Sequence, residues 1–151
     1  MKNTVNKPIG IILLIVLFFL FSHASAQQKQ NEPKDAKFYI DRGIAYGEKG
    51  QFDQAIDDFT KALEIAPKSA GAYYHRAIAY INKGRFDWAI DDLTKALEID
   101  PKSAGDYYYN RAIAYYFKQE YDKSWRDIYK AQDLGYKIPS KFLENLRNAS
   151  K

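Results

Sequence analysis

Apolar residues recur with a helical period along most of the chain after residue 35. In the first such stretch Tyr39, Gly43 and Tyr46 stand at i, i+4 and i+7, which places them on one face of a helix. A second stretch, from Ala55 to Ile65, carries apolar residues at the same period. Gly50 lies between the two stretches and suits the positive φ with which many helices end. The pattern predicts two helices joined by a tight turn.

This pair of helices is repeated along the chain. Residues 36–69 and 70–103 are identical at 23 of 34 positions. A third copy is expected at 104–137, where the sequence RAIAY returns with an offset of 35 residues, which indicates one inserted residue. A fixed period of this length is typical of stacked-repeat architectures. The sequence therefore predicts three consecutive helix–turn–helix units.

The ends of the repeats carry their own signals. A proline stops the second helix of the first two repeats, and Ser69 and Ser103 follow as predicted N-caps. Pro139 predicts the start of one more helix, whose apolar residues fall on one side: Phe142, Leu143 and Leu146. Because the last repeat of a stack leaves an apolar face bare, we expect residues 138–151 to form a capping helix.

The first 26 residues have the pattern of a signal peptide. Lys2 and Lys7 give a positive start, an apolar run spans Ile9–Phe21, and small residues follow at 24–26. The run has 13 residues, fewer than the roughly 20 that a helix needs to span a bilayer. We therefore predict cleavage between Ala26 and Gln27 and export to the periplasm or outside the cell. The alternative is an uncleaved membrane anchor.

Residues 27–35, which follow the predicted signal peptide, are polar and contain Pro33. This composition predicts a flexible linker.

The composition of the whole chain excludes several classes of function. The formal net charge is +4, but two lysines belong to the predicted signal peptide, so the rest of the chain carries only +2. This balance lacks the clustered basic surface of nucleic-acid-binding proteins. The absence of cysteine excludes disulfides, thiolate metal sites and cysteine nucleophiles.

The repeats resemble the tetratricopeptide repeat, whose pattern is W-x₂-L-G-x₂-Y, then A-x₃-F, then P. The aromatic, small and tyrosine places of the first helix are filled in all three copies: Tyr39, Tyr73 and Tyr108; Gly43, Ala77 and Ala112; Tyr46, Tyr80 and Tyr115. The third repeat departs from the pattern, with Gln119 for the turn glycine and Tyr136 for the proline. The leucine place holds Arg42, Arg76 and Arg111. We expect their aliphatic stems to pack and their guanidinium groups to reach solvent.

The resemblance implies an all-α fold, a helical-repeat superhelix (α-solenoid) of three units plus the capping helix. Ligands of this family usually lie on a concave surface formed by the first helices. One stripe on those helices is more apolar than a solvent-facing surface should be. It consists of Ile40, Ile44 and Gly47, then Tyr74, Ile78, Ile81 and Asn82, then Tyr109, Ile113, Tyr116 and Phe117. We predict that this stripe forms a partner-binding groove. Alternatively, Ile44, Ile78 and Ile113 pack between adjacent first helices.

The chemistry of this stripe favours an apolar partner. Some members of the family bind a C-terminal carboxylate with an asparagine and basic residues, but Ile44, Ile78 and Ile113 stand where that asparagine is expected. An amphipathic helix or an extended apolar peptide suits the stripe better. We predict a monomeric scaffold of the cell envelope for a protein or peptide partner. The alternative is a structural subunit that assembles with copies of itself.

Residues that would carry catalysis or bind a metal are not grouped in the sequence. The acidic pairs at 57–58 and 91–92 lie on second helices, where adjacent residues point about 100° apart and do not converge on one ion. We expect both pairs to be solvated on the convex side. His75 has no cluster of ligands near it and is predicted to line the groove. We therefore expect no enzyme activity, metal, cofactor, small-molecule substrate or nucleic-acid partner, and membrane contact only through an uncleaved signal segment.

Overall fold

The computed structural model describes residues 35–151, and the predicted signal peptide and residues 27–34 of the predicted linker lie outside the described residues. This part of the chain holds seven α-helices, one 3₁₀ helix at Pro101–Ser103 and no strand. The helices are α1 (Ala36–Glu48), α2 (Phe52–Ile65), α3 (Ala70–Asn82), α4 (Phe86–Ile99), α5 (Ala104–Phe117), α6 (Tyr121–Asp133) and α7 (Ser140–Ala149). The predicted all-α fold of paired helices with a final helix is confirmed. None of these helices is long and apolar enough to cross a membrane.

A tight turn with one residue at positive φ joins the two helices of each repeat. Gly50 has φ 71° and Gly84 has φ 70°, as the sequence predicts for the turn glycine. In the third repeat Gln119 takes the same conformation, with φ 63°. A residue with a Cβ adopts this region at a cost of roughly 1–2 kcal/mol, which glycine avoids. The third turn therefore keeps the geometry of the other two at the expense of backbone strain.

The two predicted serine N-caps behave differently. Ser69 caps α3, because its Oγ accepts a hydrogen bond from the backbone N–H of Ala72 at 3.3 Å. Ser103 stands at the predicted N-cap position of α5, but its side chain makes no cap hydrogen bond there. Ser103 Oγ instead donates to Asp100 Oδ2 at 2.7 Å. Asp100 stands where the first repeat has Ala66, so only the later repeat offers a carboxylate that captures the serine.

Helices pack in chain order, each against the next. The layers between them contain many alanines that are almost fully buried: Ala55, Ala62, Ala72, Ala77, Ala89, Ala96, Ala112 and Ala131. Gly43 is the smallest residue of this kind, and a Cβ placed on it would lie 2.7 Å from Cε1 of Phe59. The second repeat has Ala77 and Leu93 at these two places, both fully buried. A larger aromatic residue in α2 is thus matched by a smaller residue in α1.

The final helix covers the third repeat. Leu146 of α7 is fully buried and clusters with Ala112 and Ile128, while Phe142 and Leu143 are partly buried against the same cluster. These three residues of α7 are the ones that the sequence places on its apolar side. The helix therefore closes the apolar face that the third repeat leaves open.

The arginines at the leucine place form ion pairs. The expectation that their guanidinium groups reach solvent is wrong for Arg76 and Arg111, whose side chains are 17% and 14% exposed, whereas the Arg42 side chain is 37% exposed. Each donates from Nε and Nη2 to both oxygens of an aspartate 16 residues later. The pairs are Arg42–Asp58, Arg76–Asp92 and Arg111–Asp127, with Nε–Oδ2 distances of 2.6, 2.7 and 2.7 Å. Two parallel hydrogen bonds of this kind fix both the distance and the orientation of the partners.

The acidic pairs are accordingly split between two environments. Asp57 and Asp91 are exposed, as the sequence predicts. Asp58 and Asp92 are only 2% and 6% exposed, so the prediction of a solvated face is wrong for them. The rotation of about 100° from one helical residue to the next turns the second aspartate of each pair toward the first helix. A buried carboxylate requires a partner there, and the arginine supplies it.

The ion pairs also connect neighbouring repeats. Arg76 Nη1 donates to Thr60 Oγ1 of the preceding repeat at 3.0 Å, and Arg111 Nη1 donates to Thr94 Oγ1 at 2.9 Å. The third repeat has Tyr129 at the threonine place, and this tyrosine is 57% exposed. We call these linked contacts the Arg–Asp–Thr ladder. Each linked arginine holds its own two helices and the second helix of the repeat before it.

Candidate functional site

An open cleft of about 360 Å³ lies between the first helices of the first two repeats. Its lining comes from three helices: Gly43, Ile44, Gly47 and Glu48 with α1, Phe52 and Phe59 with α2, and His75, Ile78, Ala79 and Asn82 with α3. The structure thus brings together four residues of the predicted stripe: Ile44, Gly47, Ile78 and Asn82. Ile44 is partly buried against the core as well, so it both packs between helices and faces the cleft.

The cleft is open because of the residue at position 47. A Cβ on Gly47 would meet no atom within 4 Å, whereas the next repeat has Ile81 at this place. Between the second and third repeats, Phe117 stands where the second repeat has Asn82, and its ring stacks on Phe86 at 5.2 Å and 8°. The space that is open between the first and second repeats is therefore filled by side chains between the second and third repeats.

The floor of the cleft carries no positive charge at neutral pH. His75 stacks on Phe59 with ring centroids 5.8 Å apart and meets Tyr74 edge-on at 5.3 Å. Burial lowers the pKa of His75, so its imidazole is neutral at pH 7. In residues 35–151 no three histidine, aspartate or glutamate side chains are placed to share a metal ion.

The rim of the cleft is acidic. Glu48 is exposed at the end of α1 and is the one charged side chain of the lining apart from the titratable His75. Glu48 forms no ion pair within residues 35–151. Its neighbour Lys49 is exposed at the C-cap of α1 and lies outside the lining of the cleft. The lysine nearest in sequence to the α3 side of the rim, Lys83, is paired with Asp53 at 2.8 Å. An apolar floor under a free carboxylate can accept an apolar side chain and an adjacent cation.

The aromatic members of the predicted stripe lie in several places. Tyr74 is partly buried, 5.3 Å from the ring of Tyr107, and its hydroxyl accepts from Asn110 at 3.5 Å. Tyr109 and Tyr116 both contact Phe142 of the final helix, at 5.6 and 5.5 Å. These two tyrosines of α5 therefore pack against the final helix. Phe117 is 56% exposed.

The remaining isoleucines of the stripe are partly buried and lie outside the cleft. Ile40 packs against the cluster of Ala62, Leu63 and Ala72, and Ile81 packs against the main core. Ile113 is also partly buried. The stripe is therefore not a uniform exposed surface, and its most accessible apolar depression is the cleft beside Gly47.

Sequence reasoning missed the contribution of the second helix to this site. Phe52 and Phe59 of α2 line the cleft, whereas the predicted stripe contains residues of the first helices alone. The available signal was Gly47, since the other two repeats carry Ile81 and Tyr116 at that place. Loss of a large side chain at one repeat of three indicates a depression at that point.

Comparison with known proteins agrees with this architecture. The family model described as the tetratricopeptide repeat matches residues 36–69 and 70–103. The first TPR of Spaghetti (RPAP3) bound to the HSP90 peptide SRMEEVD is similar in structure, with a TM-score of 0.70 and 24% identity over 79% of this chain and 93% of that one. The first TPR domain of human RPAP3 gives a TM-score of 0.69 and 25% identity over 79% and 92%.

A further similar structure is the second TPR domain of human RPAP3 in complex with the HSP70 peptide SGPTIEEVD, with a TM-score of 0.66 and 21% identity over 75% of this chain and 92% of that one. Comparison with curated protein sequences found no match. The family is one of non-enzymatic scaffolds, which confirms the prediction that the chain is not an enzyme. Residues 36–103 thus consist of two tetratricopeptide repeats, and a third unit of the same helix–turn–helix form follows them.

Proposed function

We propose that the chain is a scaffold that binds an apolar segment of another polypeptide along its first helices. The observation that carries this proposal is the preformed cleft beside Gly47, whose lining is mostly apolar. A rigid helix stack presents such a groove without a large ordering cost on binding. Similar structures hold short peptides: the first TPR of Spaghetti is bound to an HSP90 peptide, and the second TPR domain of human RPAP3 is in complex with an HSP70 peptide. A short peptide of this kind would bind with a Kd on the order of micromolar, about −8 kcal/mol.

The test uses a phage-displayed random dodecapeptide library selected on the full chain. Enriched peptides are synthesised with a fluorescent label and titrated by fluorescence anisotropy. Ile78→Glu places a carboxylate among the apolar residues of the cleft and should abolish binding. The matched control is Asp57→Lys together with Asp91→Lys, two exposed positions on second helices, which should leave the Kd within about twofold.

Circular dichroism of each variant checks that the helices are retained. Enrichment of no peptide by the wild-type chain would refute the scaffold proposal. Binding that survives Ile78→Glu but is lost in the Asp57/Asp91 variant would move the site to the opposite side of the helix pairs. Light scattering on the same samples separates a monomeric scaffold from a self-assembling subunit, whose mass would rise with concentration.

The proposed scaffold acts after export, with residues 1–26 removed. The support is the charged start, the short apolar run and the small residues before Gln27. Intact-mass measurement on protein recovered from the envelope of the native host should give a chain that begins at Gln27. A full-length species that still begins at Met1 and partitions with membranes would show that the segment is a membrane anchor.

A further inference from the structure

We propose that the cleft beside Gly47 is a specificity pocket that takes one large apolar side chain of a bound peptide, and that Glu48 selects a lysine or arginine next to it. This inference rests on the proposed function and names the chemistry of the partner. It differs from the acidic sequences, SRMEEVD and SGPTIEEVD, that the similar structures hold.

The apolar half of the proposal follows from what fills the two equivalent places. Between the second and third repeats Ile81 and the Phe86–Phe117 stack occupy the space. Between the first and second repeats Gly47 and Asn82 leave it empty, at about 360 Å³. Ligand pockets range over about 300–1,000 Å³, so this cleft suits one large side chain and its backbone rather than a whole helix. A side chain of the partner would make the apolar contacts that Ile81 and Phe117 make between the second and third repeats.

The charged half follows from the balance of groups around the cleft. Glu48 is the one carboxylate of the lining, and the lining contains no lysine or arginine. His75 below it is neutral at pH 7 because burial lowers its pKa. Of the two nearby lysines, Lys49 lies outside the lining at the exposed C-cap of α1, and Lys83 beyond Asn82 is paired with Asp53. An acidic peptide would therefore bring a second carboxylate toward Glu48 without a free cation in the lining. A basic neighbour of the anchoring residue would instead form an ion pair at the rim.

Sequencing of the selected library gives the first readout. Peptides enriched on the full-length wild-type chain should share a leucine, isoleucine, methionine or phenylalanine with a lysine or arginine within two residues. The synthetic peptide of that consensus should lose about tenfold or more in affinity when its apolar anchor becomes alanine. The peptide SRMEEVD serves as the acidic probe and should show no saturable binding.

Two variants with matched controls give the second readout. Gly47→Ile fills the pocket with the side chain found at Ile81 and should weaken the consensus peptide about tenfold or more, whereas Glu64→Ile adds the same side chain to an exposed position outside the cleft and should not. Glu48→Lys should weaken the basic peptide by roughly threefold or more, whereas Glu64→Lys should leave it unchanged. Glu48 is exposed, so its replacement tests the rim without disturbing the fold.

Each failure points to a different part of the argument. A consensus without basic residues, or tight binding of SRMEEVD, would overturn the role of Glu48. Binding that is unaffected by Gly47→Ile but abolished by Ile78→Glu would overturn the pocket and leave the groove in place. Failure of the wild-type chain to enrich any peptide would instead refute the proposed function itself.

Discussion

Replacing Gly43 by alanine is expected to destabilise the protein, although alanine is the better helix former. The added Cβ would lie 2.7 Å from Cε1 of Phe59 and 3.0 Å from Cδ1 and Cζ, where carbon atoms prefer about 3.5–4.0 Å. Phe59 is 2% exposed and stacks on His75, so a retreat of its ring from α1 would disturb that stack. Overpacking of a core costs about 1–3 kcal/mol, and the helix propensity of alanine returns about 1 kcal/mol. The free energy of unfolding should fall by up to about 2 kcal/mol.

The chain offers both a control and a rescue for this substitution. Gly47→Ala adds the same methyl group to the same helix where nothing lies within 4 Å, so it should be neutral or stabilising by up to about 1 kcal/mol. Phe59→Leu alone should cost about 1–2 kcal/mol through lost packing. The double variant recreates the Ala77 and Leu93 of the second repeat, and its two changes should couple favourably by about 1 kcal/mol or more.

Equilibrium urea denaturation followed by far-ultraviolet circular dichroism measures all four variants against the wild type. A Gly43→Ala protein as stable as the Gly47→Ala protein would show that Phe59 moves aside at no cost. Losses in the double variant that simply add would show that the two positions do not compensate for each other. Either result would refute volume matching between α1 and α2.

Three further predictions concern strain, the ion pairs and pH. Gln119→Gly removes the cost of the positive φ of 63° and should raise the melting temperature, with a gain of about 1 kcal/mol in the free energy of unfolding. Gly84→Gln should have the opposite effect. Melting curves equal to that of the wild type would contradict the strain assigned to Gln119. Asp92→Asn leaves the Arg76 guanidinium without its anion and should cost about 3 kcal/mol in urea denaturation, while a second change, Arg76→Leu, should recover much of that loss. Burial lowers the pKa of His75, so below its usual value of about 6.5 the unfolded chain takes up the proton first and stability falls as the pH drops. His75→Asn, which copies the third repeat, should melt with a smaller difference between pH 7.5 and 5.5, and an undiminished difference would assign the effect to other groups.

The features that sequence could predict are those encoded by local spacing. Helix pairs follow from apolar positions at i, i+4 and i+7 and from Gly50 and Gly84, which lie at the turn in each of the first two repeats. The apolar side of α7 follows from three residues, of which Leu146 is fully buried. Each of these signals lies within one helix or one turn, so no knowledge of the neighbouring helices is needed to interpret it.

The features that sequence reasoning missed depend on how two helices are rotated about each other. Whether Asp57 or Asp58 turns inward is decided by the orientation of α2 against α1, and the buried choice pairs with Arg42. The same spacing of 16 residues from arginine to aspartate recurs in all three repeats, and it was the available signal. The binding site shows the same limit, because Phe59 of α2 reaches the cleft only once the two helices are packed.

The Arg–Asp–Thr ladder has a direction, and this restricts how the stack can grow. Each linked arginine reaches back to a threonine of the preceding repeat, Thr60 or Thr94. The third repeat has Tyr129 at this place, which is 57% exposed and carries its hydroxyl farther from the helix than a threonine does. The middle repeat, residues 70–103, is the one unit that both donates to its predecessor and accepts from its successor. Duplicating it in tandem would therefore preserve every link, while a unit appended after the third repeat would find neither a threonine nor an uncovered face. Repeats can thus be added in the middle of the stack without any change to the sequence of its first or last unit.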